Sequence, residues 1–315
     1  MVMSMESPAL WVLTGCTAVG KTALSIRLAQ KLSAEILSCD SLNFYREMQI
    51  GTAKPSPEER LNVPHHGLDL CGIDEIYDVD RYQRYALDVI KDVQNRGCPI
   101  LIVGGSGFYL QSFYRAVTDN IVVPKDIQNY VSERFHQGGL QAIVEALFKI
   151  SPQTGTLDLR NPRRVMRALS RCLASGKNVL ELQKLFRAQR SLFHSWTKHT
   201  CLLERHSENL QNRVIKRIDH MIQQGLIEEV QQLQTQGLYT DNPAGKAIGY
   251  RETLHWLQQP KRDILELKAN ILRNTLRLIH KQRTWFRHQI PIDLTLNLDL
   301  QSEDESFDIL TSFFH

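Results

Sequence analysis

A glycine-rich octapeptide near the start of the sequence has the residue types and spacing of a phosphate-binding loop. Gly15 and Gly20 frame four variable residues, and a lysine and a threonine follow directly. Such a loop wraps backbone N–H groups around phosphate oxygens at a helix N-terminus. Lys21 adds a positive charge, and the Thr22 hydroxyl is placed to bind Mg²⁺. We predict a P-loop formed by Gly15, Cys16, Thr17, Ala18, Val19, Gly20, Lys21 and Thr22.

A carboxylate follows the next strand-like segment. Asp40 comes just after the run 35–38, and the carboxyl ends of parallel strands meet at one edge of a sheet. Asp40 would therefore face the cleft beside the P-loop. On spacing alone, a structural role for Asp40, as a turn residue or an outer-shell metal group, is as well supported as a functional carboxylate in the cleft, so both interpretations stay open at this point.

The segments around these residues predict alternating strands and helices. Apolar runs at 10–13, 35–38 and 99–103 are typical of buried strands, and helical spacing covers 21–32 and about 80–97. Apolar strands that alternate with helices indicate a parallel sheet covered on both faces. An α/β fold is therefore expected around the P-loop.

The pattern changes near Pro124. From there to about residue 199 the periodicity is helical, without a convincing strand, and Asn161-Pro162 and Gly176 have the residue types that begin and end a helix. Further helices follow, including one over about 261–288, and 290–300 reads as a last strand or a loop. We predict a core domain of residues 1–123 and 200–315 that is interrupted by a helical domain of residues 124–199.

The composition excludes several classes of protein. The chain is 42% apolar and 23% charged, which is ordinary for a globular protein. No segment approaches the ~20 apolar residues of a membrane span, and residues 1–7 lack the features of a signal peptide. The six cysteines are scattered without a CxxC pair, which favours free thiols over a disulfide framework or a zinc site. We expect a cytoplasmic protein without membrane association.

The positive charge is concentrated in the second part of the chain. Residues 1–120 carry 11 Lys and Arg against 14 Asp and Glu, whereas residues 121–315 carry 27 against 20. Arg163, Arg164, Arg167 and Arg171 share a predicted helix face, and Glu181 is the sole acid in 160–190. A solvated helix face would explain them, but the scarcity of acids favours a nucleic-acid partner.

Several motifs, in order along nearly the whole chain, resemble the tRNA dimethylallyltransferases, also called tRNA isopentenyltransferases. Cys16 stands where that family usually has proline, and Leu42-Asn43 where Arg-Gln is common. The matching segments are the P-loop, Asp40-Ser41, Tyr45-Arg46, Gly51-Thr52-Ala53-Lys54-Pro55, Val63-Pro64-His65-His66-Gly67-Leu68-Asp69, Val103-Gly104-Gly105-Ser106-Gly107-Phe108-Tyr109, Asn161-Pro162-Arg163-Arg164-Val165, Ala247-Ile248-Gly249-Tyr250-Arg251-Glu252 and Lys281-Gln282-Arg283-Thr284-Trp285-Phe286.

The resemblance implies a fold, a reaction and two substrates. The fold would be a P-loop nucleoside-kinase-like parallel sheet with an inserted helical domain. The reaction would transfer a dimethylallyl group from dimethylallyl diphosphate to N6 of the adenosine 3′-adjacent to the anticodon, at tRNA position 37. Mg²⁺ would assist, and the partner would be the anticodon stem-loop of tRNA. We expect a monomer.

The resemblance also implies roles for individual residues. Asp40 would be the general base, with Ser106 near the reacting groups. Lys21, Thr22 with Mg²⁺, the P-loop N–H groups, Arg217 and Arg213 would hold the diphosphate. The residues that match tRNA-contacting segments are Asp40, Ser41, Leu42, Asn43, Ser106, Arg163, Arg164, Arg167, Lys246, Gly249, Tyr250 and Arg251.

Two further local patterns in the sequence could suggest binding sites. His65-His66 has no third ligand at a zinc-like spacing, so a structural role is expected. The glycines around Ser106 favour a tight strand exit beside the active site over a second phosphate loop.

Two other functions stay open. A small-molecule kinase shares the P-loop but would require ATP. A non-catalytic RNA-binding NTPase module would leave Asp40 and the 51–55 segment unexplained.

Overall fold

The computed structural model describes residues 9–315, which form two compact units. One contains the chain up to Tyr114 together with Leu192–His315, and the other is Arg115–Ser191. These boundaries differ from the predicted 124 and 199, because 115–123 has no regular structure and thus no periodicity to read. The signal-peptide prediction concerns residues 1–7, outside the described part of the chain.

The first unit, the core unit, is built on a six-stranded sheet with strand order β3-β2-β4-β1-β5-β6. Every strand pair is parallel, which confirms the predicted α/β class. Parallel strands need helical crossovers, so helices cover the sheet. The strands are β1 (Ala9–Gly15), β2 (Glu35–Ser38), β3 (His65–His66), β4 (Ile100–Gly104), β5 (Thr197–Glu204) and β6 (Leu294–Asn297).

The core unit also contains the helices that the sequence predicted over 21–32 and about 261–288. The predicted helix over 21–32 is confirmed at those bounds, and the long C-terminal helix spans 264–289. The core-unit helices are α1 (Lys21–Leu32), α2 (Val79–Asn95), α3 (Gly107–Gln111), α7 (Ser207–Gln223), α8 (Leu226–Thr235), α9 (Tyr250–Leu257), α10 (Ile264–Gln289) and α11 (Glu303–Phe314).

The expectation of no strand before residue 200 is wrong. Strand β5 begins at Thr197 and pairs with β1, so that Leu13 lies beside Cys201. Its first residues, Thr-Lys-His, are polar and partly exposed, and only its second half is a buried apolar run. Pairing with a central strand, which the local sequence does not report, extends β5 into this polar segment.

The second unit is helical and has its own small core of Val131, Ile143, Leu147, Val165, Leu169 and Cys172. As predicted, Asn161 caps a helix there: its side chain accepts a hydrogen bond from Arg164 N at 3.3 Å, Pro162 is the first helical residue, and Gly176 ends the helix with φ of 67°. Helix α4 is interrupted at Gly139. The helices are α4 (Lys125–Ile150), α5 (Pro162–Ser175) and α6 (Val179–Ala188).

No helix within residues 9–315 is both long and apolar enough to span a membrane.

Candidate active site

The glycine-rich loop joins β1 to α1. Gly15 ends β1 with φ of 152°, and a Cβ at this position would lie 2.6 Å from the Leu203 carbonyl oxygen, so only glycine fits. Helix α1 begins at Lys21, and its first N–H groups have no partner within the helix. The strand–loop–helix context that a P-loop requires is therefore present. Its binding of phosphate stays a prediction.

The Lys21 side chain folds back over this loop. Its Nζ donates hydrogen bonds to the carbonyl oxygens of Gly15, at 2.8 Å, and Cys16, at 2.9 Å. Burial lowers the pKa of Lys21, while the nearby Asp40 carboxylate acts in the opposite direction. The ammonium group thus lies between the loop and the predicted base.

A cavity of about 610 Å³ opens beside the loop, within the core unit. Among the charged side chains on its wall, lysines and arginines outnumber carboxylates, which suits an anionic ligand. The lining residues include Thr17, Ala18, Gly20, Lys21, Thr22, Asp40, Asn43, Thr52, Gly105, Arg205, Arg213, Lys216, Arg217 and Gln282.

Arg213 and Arg217 reach the loop from α7. They are one helical turn apart and share a face. Arg213 Nε donates to the Ala18 carbonyl oxygen at 2.7 Å, and Arg217 Nη1 donates to Thr17 Oγ1 at 3.4 Å. Burial lowers the pKa of Arg217. The structure therefore places the two arginines that were predicted to hold the diphosphate next to the P-loop, although they lie some 200 positions further along the chain.

Asp40 opens into the same cavity as Lys21 and Thr22. Its Oδ1 accepts hydrogen bonds from Leu42 N at 3.1 Å and from Ser106 Oγ at 3.5 Å. Ser106 Oγ also accepts from Ser41 N at 3.0 Å. Because Ser106 follows β4, two neighbouring strands contribute the carboxylate and the hydroxyl that orients it. The catalytic roles of both residues stay predictions.

Thr52 and Ala53 line another side of the cavity, and Glu229 of α8 holds the residues just before them. The Glu229 carboxylate accepts from the backbone N–H groups of Gln49, at 3.1 Å, and Ile50, at 2.9 Å. The Tyr250 hydroxyl donates to Glu229 at 2.5 Å and accepts from Gly51 N at 3.2 Å. A Cβ on Gly51 would lie 2.3 Å from the Tyr250 ring, which explains the glycine.

This arrangement corrects the interpretation of Tyr250. Its side chain is fully buried, and its hydroxyl is used inside the protein, so it presents no surface to a nucleic acid. Gly249, also buried, directly precedes α9, and its predicted contact with tRNA stays a prediction. Lys246 is exposed and Arg251 half-exposed, so their predicted contact with tRNA stays open.

The two adjacent histidines have structural partners. His66 Nε2 lies 2.6 Å from Glu35 Oε2, and Arg96 binds the same carboxylate. The Arg96 hydrogen bond, followed by that of His66, lowers the pKa of Glu35. His65 Nδ1 lies 2.7 Å from the Val63 carbonyl oxygen. Within residues 9–315, no group of three or more His, Cys, Asp or Glu side chains could hold a metal ion.

The helical unit presents three exposed arginines along α5, which are Arg163, Arg164 and Arg167. They line a depression of about 610 Å³ together with Gln128. Arg171 does not belong to this set, because its Nε is 2.9 Å from Asp119 Oδ2 and its side chain is mostly buried. The exposed basic face is therefore shorter than the sequence suggested.

Sequence reasoning missed two side chains of the core unit that organise the cavity. Gln282 lies in a segment that matches the family pattern, yet a helical glutamate or glutamine has no local feature that reveals a distant partner. Only the fold shows that Glu229 holds residues 49–51, some 180 positions away, and that Gln282 contacts the P-loop.

The parallel sheet, with a glycine-rich loop at a helix N-terminus beside a cavity, defines the class: an α/β protein with a P-loop-like fold.

Comparison with known proteins identifies the family. The IPP transferase profile matches residues 43–289. A protein named tRNA dimethylallyltransferase from Opitutus terrae is 43% identical over 289 residues, which cover 91% of this chain and 92% of that protein. The chain therefore belongs to the IPP transferase family, and it is a transferase. This finding confirms the resemblance to tRNA dimethylallyltransferases.

Solved structures with the same fold cover nearly the whole chain. The full-length tRNA isopentenylpyrophosphate transferase of Bacillus halodurans aligns with a TM-score of 0.70 and 29% identity, over 97% of this chain and 96% of that one. A eukaryotic dimethylallyltransferase shares the fold, with a TM-score of 0.83 and 24% identity, over 98% of this chain and 79% of that one.

Proposed function

We propose that this protein transfers the dimethylallyl group of dimethylallyl diphosphate to N6 of the adenosine at tRNA position 37, 3′-adjacent to the anticodon. Asp40 is the general base and Mg²⁺ assists. One observation carries this proposal: a single cavity is lined by the P-loop, by Arg213 and Arg217, and by the Asp40 carboxylate. The names of the similar proteins support the choice of tRNA and of the prenyl group.

The P-loop side of the cavity suits the diphosphate. The N–H groups at the start of α1, the Lys21 ammonium group and the Arg217 guanidinium group would bind its oxygens. As the bond between the prenyl carbon and the diphosphate oxygen breaks, negative charge accumulates on the leaving group. Fixed donors in a water-poor cavity stabilise that charge strongly. Arg217 meets this condition, because it is largely buried and held by Thr17 and Thr52.

The donor set also fits Mg²⁺. The ion usually keeps several waters and binds one or two protein oxygens together with substrate phosphates. Thr22 and Asp40 offer a hydroxyl and a carboxylate at the same cavity, and the described residues contain no crowded carboxylate cluster that would favour Ca²⁺ or Zn²⁺. Thr22 would hold the ion, which supplies further neutralisation of the leaving group.

The Asp40 side of the cavity suits the adenine. The exocyclic amine is a weak nucleophile because its lone pair is delocalised into the ring. A carboxylate within about 3 Å can take the proton as the new C–N bond forms. Ser106 and Leu42 N fix one Asp40 oxygen, which leaves the other oxygen for the amine. The bond from N6 to the prenyl carbon forms, diphosphate departs, and Asp40 accepts the proton.

The transfer assay tests the proposed function. Incubation with unmodified tRNA, dimethylallyl diphosphate labelled in the prenyl group, and Mg²⁺ should label the tRNA at adenosine 37 without ATP. Omission of Mg²⁺ should reduce the rate. A requirement for ATP would instead indicate a kinase, and binding of tRNA without transfer of label would indicate an RNA-binding module.

The helical unit is proposed to bind the anticodon stem-loop through Arg163, Arg164 and Arg167. Neutralising two of them, as in R163Q/R164Q, should weaken tRNA binding. The decrease of log K for tRNA association with log salt concentration should become less steep by about 1–2, because fewer counterions are released. Affinity for dimethylallyl diphosphate should stay the same. Filter binding across a salt series measures both the affinity and the slope.

The matched control is K184Q/R187Q, which removes the same charge from exposed positions of α6. Equal slopes for R163Q/R164Q and the unaltered protein would show that the α5 arginines form a solvated helix face and do not bind tRNA. A monomeric state and a cytoplasmic place of action remain part of the proposal.

A further inference from the structure

The Gln282 side chain connects two loops of the candidate active site. Its Oε1 accepts a hydrogen bond from Thr17 N at 3.0 Å, and its Nε2 donates to the Gly105 carbonyl oxygen at 3.0 Å. Thr17 belongs to the P-loop, and Gly105 lies at the exit of β4. A single amide group therefore joins the two segments just beyond the point where the pairing of β1 with β4 ends, at Thr14 and Gly104.

The two loops have different tasks in the proposed reaction. Thr17 is in the diphosphate-binding loop and contacts Arg217. Gly105 directly precedes Ser106, whose hydroxyl contacts the Asp40 carboxylate and Ser41 N. Gln282 thus contacts both the donor side and the base side of the cavity.

Helix α10 is anchored directly after Gln282. Arg283 Nη1 donates to Ser207 Oγ at 2.8 Å, and Phe286 is almost fully buried. The Trp285 ring packs against Gly107, where a Cβ would lie 2.7 Å from the ring. A side chain anchored in this way transmits the rigidity of the helix to the two loops.

The chemistry of the contact requires an amide. Glutamine donates and accepts at the same time, and both loop groups are complementary: an N–H group and a carbonyl oxygen. Glutamate could accept from Thr17 N but would place a carboxylate oxygen against the Gly105 carbonyl oxygen. Leucine would leave both loop groups without this partner. The approach is close, since a Cβ on Gly105 would lie 3.1 Å from Gln282 Nε2.

We propose that Gln282 is a positioning residue that fixes the distance between the diphosphate-binding loop and the Asp40–Ser106 pair. This inference rests on the proposed prenyl transfer. It predicts a much larger loss in the chemical step than in substrate binding, because Gln282 would act on the reacting groups only through the two loops that it joins. A misplacement of reacting groups by about 1 Å can cost ~10²-fold in rate.

The test uses Q282E and Q282L, with Q231E as a control that makes the same chemical change at an exposed position of α8. Single-turnover prenyl transfer at saturating substrates should fall by about 30-fold or more in both variants, whereas Kd values for dimethylallyl diphosphate and tRNA change by less than about threefold. Thermal unfolding should show that both variants remain folded.

Hydrogen–deuterium exchange gives a readout that does not depend on the reaction. Exchange in a peptide covering 15–22 should be faster in Q282L, because Thr17 N loses its acceptor, and close to normal in Q282E, which keeps an acceptor. Normal transfer rates in both variants, or unchanged exchange in Q282L, would overturn the inference. If the unaltered protein transfers no prenyl group, the proposed function fails, and the exchange experiment alone decides whether Gln282 fixes the loop.

Discussion

Replacing Lys21 or Thr22 by alanine should lower kcat/KM for dimethylallyl diphosphate by at least ~10²-fold, which corresponds to the loss of ~3 kcal/mol or more of leaving-group stabilisation. The Lys21 ammonium group already lies against the P-loop, 2.8 Å from the Gly15 carbonyl oxygen. The Thr22 hydroxyl faces the same cavity. Both groups are thus available where the diphosphate charge would develop. Prenyl transfer to unmodified tRNA is the measurement.

The two variants should differ in their response to metal. Raising the Mg²⁺ concentration should restore part of the T22A activity, because Thr22 would hold the ion, and should do little for K21A. K31A, which removes an exposed cation from the last turn of the same helix, is the control. Near-normal turnover in K21A or T22A would show that the loop does not bind the diphosphate.

The features that sequence predicts best are those with a local cause. The glycine spacing of the P-loop, the apolar strands and the Asn161-Pro162 helix start each depend on a few neighbouring residues, and the structure contains the corresponding strands and helix start. Strand β5 was missed because its first residues are polar and its pairing with β1 determines where it begins.

The contacts that shape the cavity have no local cause. Arg217 meets Thr17 and Thr52, Glu229 meets residues 49–51, and Gln282 meets Thr17 and Gly105 only because the chain returns to the same edge of the sheet. The family resemblance marked several of these segments as important. It could not tell a surface contact from a structural one, and Tyr250, predicted to touch tRNA, is buried against Gly51.

Asp40 distinguishes the proposed chemistry from mere binding. Asp40→Asn keeps the size of the side chain and an oxygen that can accept from Leu42 N, as Oδ1 does now at 3.1 Å, so the loop should keep its conformation. The amide cannot accept the proton of the adenine amine. Turnover should therefore fall by about 10²–10⁴-fold, the usual contribution of a positioned general base.

The measurement for Asp40→Asn must separate proton transfer from binding and from folding. Single-turnover prenyl transfer reports the chemical step, while Kd values for tRNA and dimethylallyl diphosphate should stay within about threefold of the unaltered protein. D88N, the same change at an exposed position of α2, is the control and should retain full activity. A kinase that used Asp40 to activate a hydroxyl would also be impaired by this change, so transfer of the prenyl group to tRNA has to be the readout. If D40N transfers the group at a normal rate, the amine loses its proton without help from this carboxylate, and Asp40 contributes only by accepting hydrogen bonds from Leu42 N and Ser106.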